Sequence, residues 1–212
     1  MLSAVHYAPM PAAGPPSLPL ILASGSPRRT ELLTRLGVPH EVKPTDAPED
    51  DLQSTPQATV LLLARRKVQA AAIVDPGRRI LAADTVVSID EHILGKPRDE
   101  QENRKFIERL SGRWHEVYTG LALALNGQVF TAFEVTRVKF RALSFAEVIG
   151  YARSGEGLDK AGGYGIQEKG MALVERLDGD YFNVVGLPIA RLVTLAREAN
   201  IELLPWAAPG EL

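Results

Sequence analysis

Leu20-Ile21-Leu22-Ala23-Ser24-Gly25-Ser26-Pro27-Arg28-Arg29 carries an apolar strand into a turn of small residues and then sets two arginines in the first turn of a helix. Ser26 stands where a helix cap belongs, and Pro27 suits the first helical position because its missing N–H would have no partner there. The open amides of that first turn and the positive end of the helix dipole favour an anion. Two arginines at this end oppose the dipole, so helix stability gives no reason for them. A phosphate would give both a partner in forked, charge-assisted geometry. The plain alternative is a solvated basic pair beside a surface carboxylate.

Working outward, the pattern predicts a strand over 18–23, a helix over 27–36 and a short extended piece over 41–43 that leads into the acidic run 46–51. A long helix starts at Thr55-Pro56 and stops near Val74, before Asp75-Pro76-Gly77. Residues 79–88 read as a central strand, apolar without a helical stripe and interrupted by Asp84. Asp99 and Glu102 open a helix that Ser111-Gly112 ends, and Asn126-Gly127 joins two β-rich runs, 115–125 and 129–140, as a hairpin. Ser144-Phe145-Ala146-Glu147 is a capping box for a helix to about Ser154. The glycine-rich stretch 155–170 then leads to a strand near 172–176, Pro188 starts a last helix to about Asn200, and 201–204 reads as a short strand. Alternating helices and strands with an inserted hairpin predict an α/β fold with a mixed β-sheet and flanking helices. Residues 1–17, with Pro9, Pro11, Pro15 and Pro16, are expected to be a disordered tail, 18–207 one domain, and 208–212 a C-terminal tail.

Of the 212 residues, 45% are hydrophobic, enough for one sizeable core, and the formal net charge is −2. That balance argues against a broad basic face for nucleic acid, so phosphate recognition must be local. With no cysteine, disulfides, thiolate metal ligands and a cysteine nucleophile are excluded. No apolar run is long enough to span a bilayer, and the first seventeen residues lack a basic start and an apolar core, so a cytoplasmic protein without membrane partners is expected.

Several residues offer chemistry. Asp84, between Ala83 and Thr85 in an apolar strand, needs a compensating partner. It reads either as a functional carboxylate holding a divalent metal or water, with Thr85 donating beside it, or as half of a structural ion pair. Gly95-Lys96-Pro97 fixes a lysine in a rigid bend, where it meets a phosphate or simply solvent. Arg65-Arg66-Lys67 has the look of a solvated helix face. In Asp159-Lys160-Ala161-Gly162-Gly163-Tyr164-Gly165-Ile166-Gln167 the glycines allow backbone to approach a ligand, and the Gln167 amide has the donors and acceptor to read uracil or thymine. A flexible surface loop is the other reading. No phosphate-binding P-loop and no Gly-x-Gly-x-x-Gly occurs. The four histidines show no metal-ligand spacing, and His115 reads as a structural hydrogen-bonding residue.

Taken in order, Ser24-Gly25-Ser26-Pro27-Arg28-Arg29-x-x-Leu32-Leu33, Ala83-Asp84-Thr85-Val86-Val87, Gly95-Lys96-Pro97, Leu110-Ser111-Gly112 with His115-x-Val117-x-Thr119-Gly120, Asp159-Lys160-Ala161-Gly162, and Gly179-Asp180-Tyr181 with Asn183-Val184-Val185-Gly186-Leu187-Pro188 resemble the Maf family of nucleoside triphosphate pyrophosphatases. The resemblance runs from Leu20 to about Ala196. It implies a two-lobed single domain with a cleft, similar to inosine triphosphatases, and hydrolysis of a nucleoside triphosphate to the monophosphate and pyrophosphate with Mg2+ or Mn2+. By matching position, Asp84 is the implied proton acceptor and metal partner, with Glu49 as an additional metal carboxylate. Arg28, Thr85 and Gln167 are implied to set substrate choice, and Ser24, Arg29, Lys67, Lys96 and Lys160 to line the phosphate site. Tyr164-Gly165-Ile166-Gln167 is similar to the branch favouring dTTP and UTP, although Glu168 stands where glycine usually follows the glutamine. The resemblance further implies a homodimer and a house-cleaning role linked to division arrest. The competing expectations are a non-catalytic nucleotide-binding regulator of septum formation and a pyrophosphatase for inosine or xanthosine triphosphate.

Overall fold

The computed structural model describes residues 18–48, 53 and 55–205. The two expected tails and the predicted metal carboxylate Glu49 lie outside the described residues. Strand β1 (Leu20–Leu22) runs into helix α1 (Pro27–Arg35), and β2 (His40–Val42) returns parallel to β1. Helix α2 (Pro56–Val74) begins where the Thr55 hydroxyl accepts the Ala58 amide at 3.2 Å, with proline in its first turn. Then come β3 (Ile80–Ile89), β4 (His92–Leu94), α3 (Glu100–Leu110) capped by Asp99, and the hairpin of β5 (Trp114–Leu125) and β6 (Gln128–Phe140). Helix α4 (Phe145–Arg153) carries the anticipated capping box, and β7 (Val174–Asp178), α5 (Tyr181–Val185) and α6 (Ile189–Glu198) complete the order.

The strands form one mixed sheet ordered β2-β1-β3-β5-β6-β7, parallel from β2 to β3 and antiparallel beyond. On one side β3 pairs with β5 along nearly its whole length. On its other side it has two short partners: β1 meets Ile80 and Leu81, while β4 meets Val87, Ser88 and Ile89. Between those two ladders the sheet parts beside residues 83–86. An apolar central strand thereby acquires an open flank at the position of its one acidic residue.

Side chains alternate along β3, so the even and odd residues supply different layers. Ile80 and Ala82 join Ala64, Val68 and Ala71 of α2 on one face. On the other face, Leu81 and Ala83 pack with α1 and α6, whereas Val87 and Ile89 pack with residues of α3 and α4. These two cores are the two lobes. Between them lies a polar layer: Thr85 and Thr119 hydroxyls stand 2.9 Å apart, Thr119 donates to the Asn183 carbonyl, and fully buried Asn183 donates to Val117 O and Thr136 Oγ1, both at 2.9 Å. Helix α2 sits low on its face because Gly120 opposes Asp84 there, and a Cβ at 120 would overlap the Val60 carbonyl.

Four local expectations differ from the structure. Ser26 occupies the cap position of α1, but its side chain makes no capping bond. The segment 201–204 is not a strand: Ile201 and Leu203 are buried, while the Glu202 carbonyl accepts from Arg79 at 3.3 Å instead of from a ladder. Strand β7 starts two residues late because a 3-10 turn takes Lys169–Leu173. The five-residue helix α5 was not anticipated at all. Among the described residues no helix is long and apolar enough to cross a membrane.

Candidate active site

The open flank of β3 leads into a cavity of about 510 Å³ lined by the β1–α1 turn, α2, β3, the turn after β4, the 159–167 loop and α5. Asp84 belongs to the α2 face and Thr85 to the opposite one, yet both line the cavity because the sheet is parted beside them. From α2, Lys67 donates to Asp84 Oδ1 at 2.6 Å, and both side chains are about 10% exposed. Lys67 is therefore buried, not part of a solvated face; only Arg65 of its run is exposed. The other oxygen of Asp84 accepts no protein donor among the described residues. Asp84 thus has the ion-pair partner that one of its two alternatives called for, while its carboxylate also lines the cavity.

At the cationic end, Arg29 is buried and its donors engage protein: Nε to Gly186 O at 2.8 Å, Nη1 to Ser24 Oγ at 2.8 Å and Nη2 to Thr85 Oγ1 at 3.1 Å. It stitches β1, β3 and α5 together and adds positive charge to the wall without offering an open fork. Arg28 points across the mouth to Asp159, 3.2 Å away, and Lys160 reaches the same carboxylate at 2.8 Å. Partial burial works against ionisation of Asp159, but Lys160 and Arg28 outweigh it and hold the carboxyl below the ordinary range. The turn lysine Lys96 lines the same cavity, tied in by the Gly162 amide donating to Gly95 O at 3.0 Å. A row of cations from three chain segments thereby faces one space.

Gln167, half-buried, lies with Gly165 and Ile166 on the remaining wall. The wall behind it is braced by Tyr164, whose hydroxyl is 2.7 Å from His115 Nε2 in a buried aromatic cluster with Phe140. Desolvation drives the His115 imidazole down to about 3, so it is neutral and structural. Sequence reasoning missed Thr45, whose hydroxyl is buried in the cavity wall without a partner among the described residues, and the polar layer built on Asn183. Thr45 offered no signal beyond its place before an acidic run. Asn183 stood in a quoted motif with no role attached.

All nine described residues among the predicted site positions, Ser24, Arg28, Arg29, Lys67, Asp84, Thr85, Lys96, Lys160 and Gln167, line this one cavity. Among the described residues no three His, Cys, Asp or Glu side chains gather as a metal cage. The donor set present, one carboxylate facing the cavity, would suit a hard divalent cation with Asp84 as one of its oxygen ligands.

Known proteins match the chain over most of their length. The chain is 50% identical to the dTTP/UTP pyrophosphatase of Deinococcus radiodurans over 192 residues, 91% of this chain and 97% of that protein. It is 51% identical to the dTTP/UTP pyrophosphatase of Thermus thermophilus over 177 residues (84% and 92%), and 45% identical to that of Bacillus cereus AH820 over 185 residues (87% and 97%). A solved nucleoside-triphosphatase / dITP/XTP pyrophosphatase from Mycobacterium abscessus aligns at 17% identity with a TM-score of 0.39, over 59% of this chain and 76% of that one. The model of the Maf-like protein family matches residues 19–199, a span that holds every element lining the cavity, and the chain belongs to that family.

Proposed function

We propose that this protein hydrolyses dTTP and UTP to the monophosphate and pyrophosphate, with Asp84 as the base. The observation that carries this reading is the single cavity in which a lysine-anchored aspartate with an open oxygen faces cations from α1, the turn after β4 and the 155–170 loop. The dTTP/UTP pyrophosphatases at 45–51% identity support the choice of substrate.

Lys67 holds one oxygen of Asp84 and so orients the other toward a water. Attack forms a bond from the water oxygen to the α-phosphorus and breaks the bridging bond to the β-phosphate. The proton passes to Asp84, and pyrophosphate departs with the bonding electrons. Arg28, Lys96 and Lys160 receive that leaving charge, while Arg29 contributes a fixed positive field. Substrate phosphates displace Asp159 from Arg28 and Lys160, so the site exchanges one anion for another. Asp84, with Glu49 as a further candidate ligand, would hold a divalent cation, which would supply Lewis-acid neutralisation of the phosphates. Gln167 offers an acceptor and two donors to the imide edge of the pyrimidine.

The test is a panel of nucleoside triphosphates with Mg2+ or Mn2+, assayed for pyrophosphate and orthophosphate separately. Pyrophosphate from dTTP and UTP is expected, with Asp84→Asn lowering kcat by about 10²- to 10⁴-fold. Binding without pyrophosphate release establishes the regulator instead, and faster turnover of inosine or xanthosine triphosphate overturns the base assignment. A folded Asp84→Asn protein working at the parental rate removes Asp84 from the mechanism.

A further inference from the structure

We infer that Glu156 is a positioning residue that sets base selectivity, because its carboxylate pins both ends of the loop that carries Gln167; this rests on the reading of Gln167 given above. Glu156 is half-buried just after α4 and does not line the cavity. Its Oε1 accepts the Gly170 amide at 2.9 Å and the Tyr151 hydroxyl at 3.1 Å, and its Oε2 accepts the Lys169 amide at 2.9 Å. The Tyr151 oxygen in turn accepts the Gly165 amide at 3.2 Å. Entry and exit of the 165–170 loop are thus tied, directly at one end and through one phenol at the other, to a single anion.

The loop is closed on itself as well as clamped. Gly170 lies against the Gly165 carbonyl so closely that a Cβ would overlap it, and a Cβ on Gly165 would come within 2.6 Å of Lys160 Cε. Lys160 Nζ also donates to the backbone carbonyl of Glu156. One residue therefore fixes the base-side loop through its carboxylate and a phosphate-side lysine through its main chain, which sets the spacing between the two subsites. Amides donating to an ionised acceptor form the stronger kind of hydrogen bond, and no regular ladder holds 165–168 otherwise. Without the carboxylate, Gln167 samples orientations in which its amide no longer matches a pyrimidine edge.

Glu156→Ala and Glu156→Gln are measured beside Gln167→Ala, with kcat and KM for dTTP and dCTP and with amide hydrogen exchange of the nucleotide-free protein. Glu156→Ala is expected to lower the dTTP-to-dCTP ratio of kcat/KM by about tenfold or more. The change falls on KM for dTTP with kcat within about threefold, and exchange quickens at Gly165, Lys169 and Gly170. Glu156→Gln keeps one acceptor oxygen and recovers part of the ratio; it carries the same test where the alanine variant does not fold. A collapsed ratio in Gln167→Ala beside a parental ratio in folded Glu156 variants overturns the clamp, as does an equal loss on both nucleotides. A parental ratio in Gln167→Ala overturns the reading of Gln167 itself, and the exchange data then report on the clamp alone.

Discussion

Replacing Lys67 with methionine keeps most of the side-chain volume and removes its charge, which leaves the Asp84 carboxylate about 10% exposed with its 2.6 Å partner gone. Breaking one half of a buried pair costs about 3–5 kcal/mol because the remaining ion stays desolvated. For a chain of this size that corresponds to a fall in Tm of roughly 10 °C. Asp84→Asn alone leaves Lys67 facing a neutral amide and is expected to lose less, since an ammonium on a flexible stem can turn toward the cavity. The double variant Lys67→Met/Asp84→Asn removes both charges and is expected to recover about 2 kcal/mol or more relative to the sum of the single losses. Urea unfolding at pH 7, followed by tryptophan fluorescence for all four proteins, gives the cycle directly. A coupling energy within about 0.5 kcal/mol of zero would show that the contact is geometric only, and the case for Lys67 as the anchor of the base would fail.

Gly120→Ala forces a methyl into the Val60 carbonyl, so α2 must lift; a loss of about 1–3 kcal/mol is expected together with a fall in kcat as Lys67 retreats from Asp84, and unchanged kcat in a destabilised protein would separate α2 height from catalysis. Asp159→Asn removes the carboxylate that competes with phosphate for Arg28 and Lys160, so KM for dTTP should fall about two- to fivefold at low ionic strength and converge with the parent in high salt; equal values at both strengths refute the competition. His115 has its folded pKa depressed to about 3 against an ordinary 6.5, so the unfolded chain binds the extra proton between those values. Its stabilising share is full above pH 6.5 and is lost as pH falls toward 3, by an amount on the order of 4–5 kcal/mol. His115→Gln, whose amide reaches the position of Nε2 and can still meet the Tyr164 hydroxyl, should show a shallower decline between pH 7 and 4 in denaturant titrations, and parallel curves would show that His115 does not govern that slope.

The parts of the site legible in the chain are those whose physics is local. Leu20 to Arg29 announces a strand, a turn and a helix start in ten letters, and Asp84 is conspicuous because it breaks an apolar run. Lys67 came only from the family resemblance and was not legible in its local pattern, since nothing in Arg65-Arg66-Lys67 says which of the three faces the sheet. That depends on Gly120, 53 positions away, which lets α2 approach. The same limit explains α5: five residues carry too little periodicity to be read as a helix, and the Asp180 carboxylate capping the Phe182 amide becomes meaningful only beside Thr136 and Thr119. In Ile201 to Leu204 the alternation was real, since Ile201 and Leu203 are both buried, but burial does not require a ladder when an arginine can satisfy a carbonyl. Periodicity reports which side chains are covered, and pairing is a separate tertiary fact.

The parted sheet explains why one cavity can hold both halves of the proposed chemistry. In an unbroken sheet Asp84 and Thr85 would be separated by the thickness of the layer, and a ligand could reach only one of them. With β1 ending at Leu22 and antiparallel β4 ending at Leu94 opposite Val87, the flank of β3 lets a ligand touch both faces at once: the Asp84–Lys67 pair on the α2 side, and Thr85 with Arg29 on the side of the two cores. The charges then fall into place. Among the described residues lining the cavity, five cations, Arg28, Arg29, Lys67, Lys96 and Lys160, accompany two carboxylates, Asp84 and Asp159, a balance of +3 for those residues within a chain whose net charge is −2. A fully ionised triphosphate carries more negative charge than that surplus, so the protein alone leaves the bound substrate under-neutralised. In the mechanism proposed, a divalent ion with Asp84 as a ligand would make up that shortfall. Activity should therefore vanish on chelation, while binding of the less charged monophosphate product persists without metal. Product affinity that depends on metal as steeply as turnover does would contradict this division of charge.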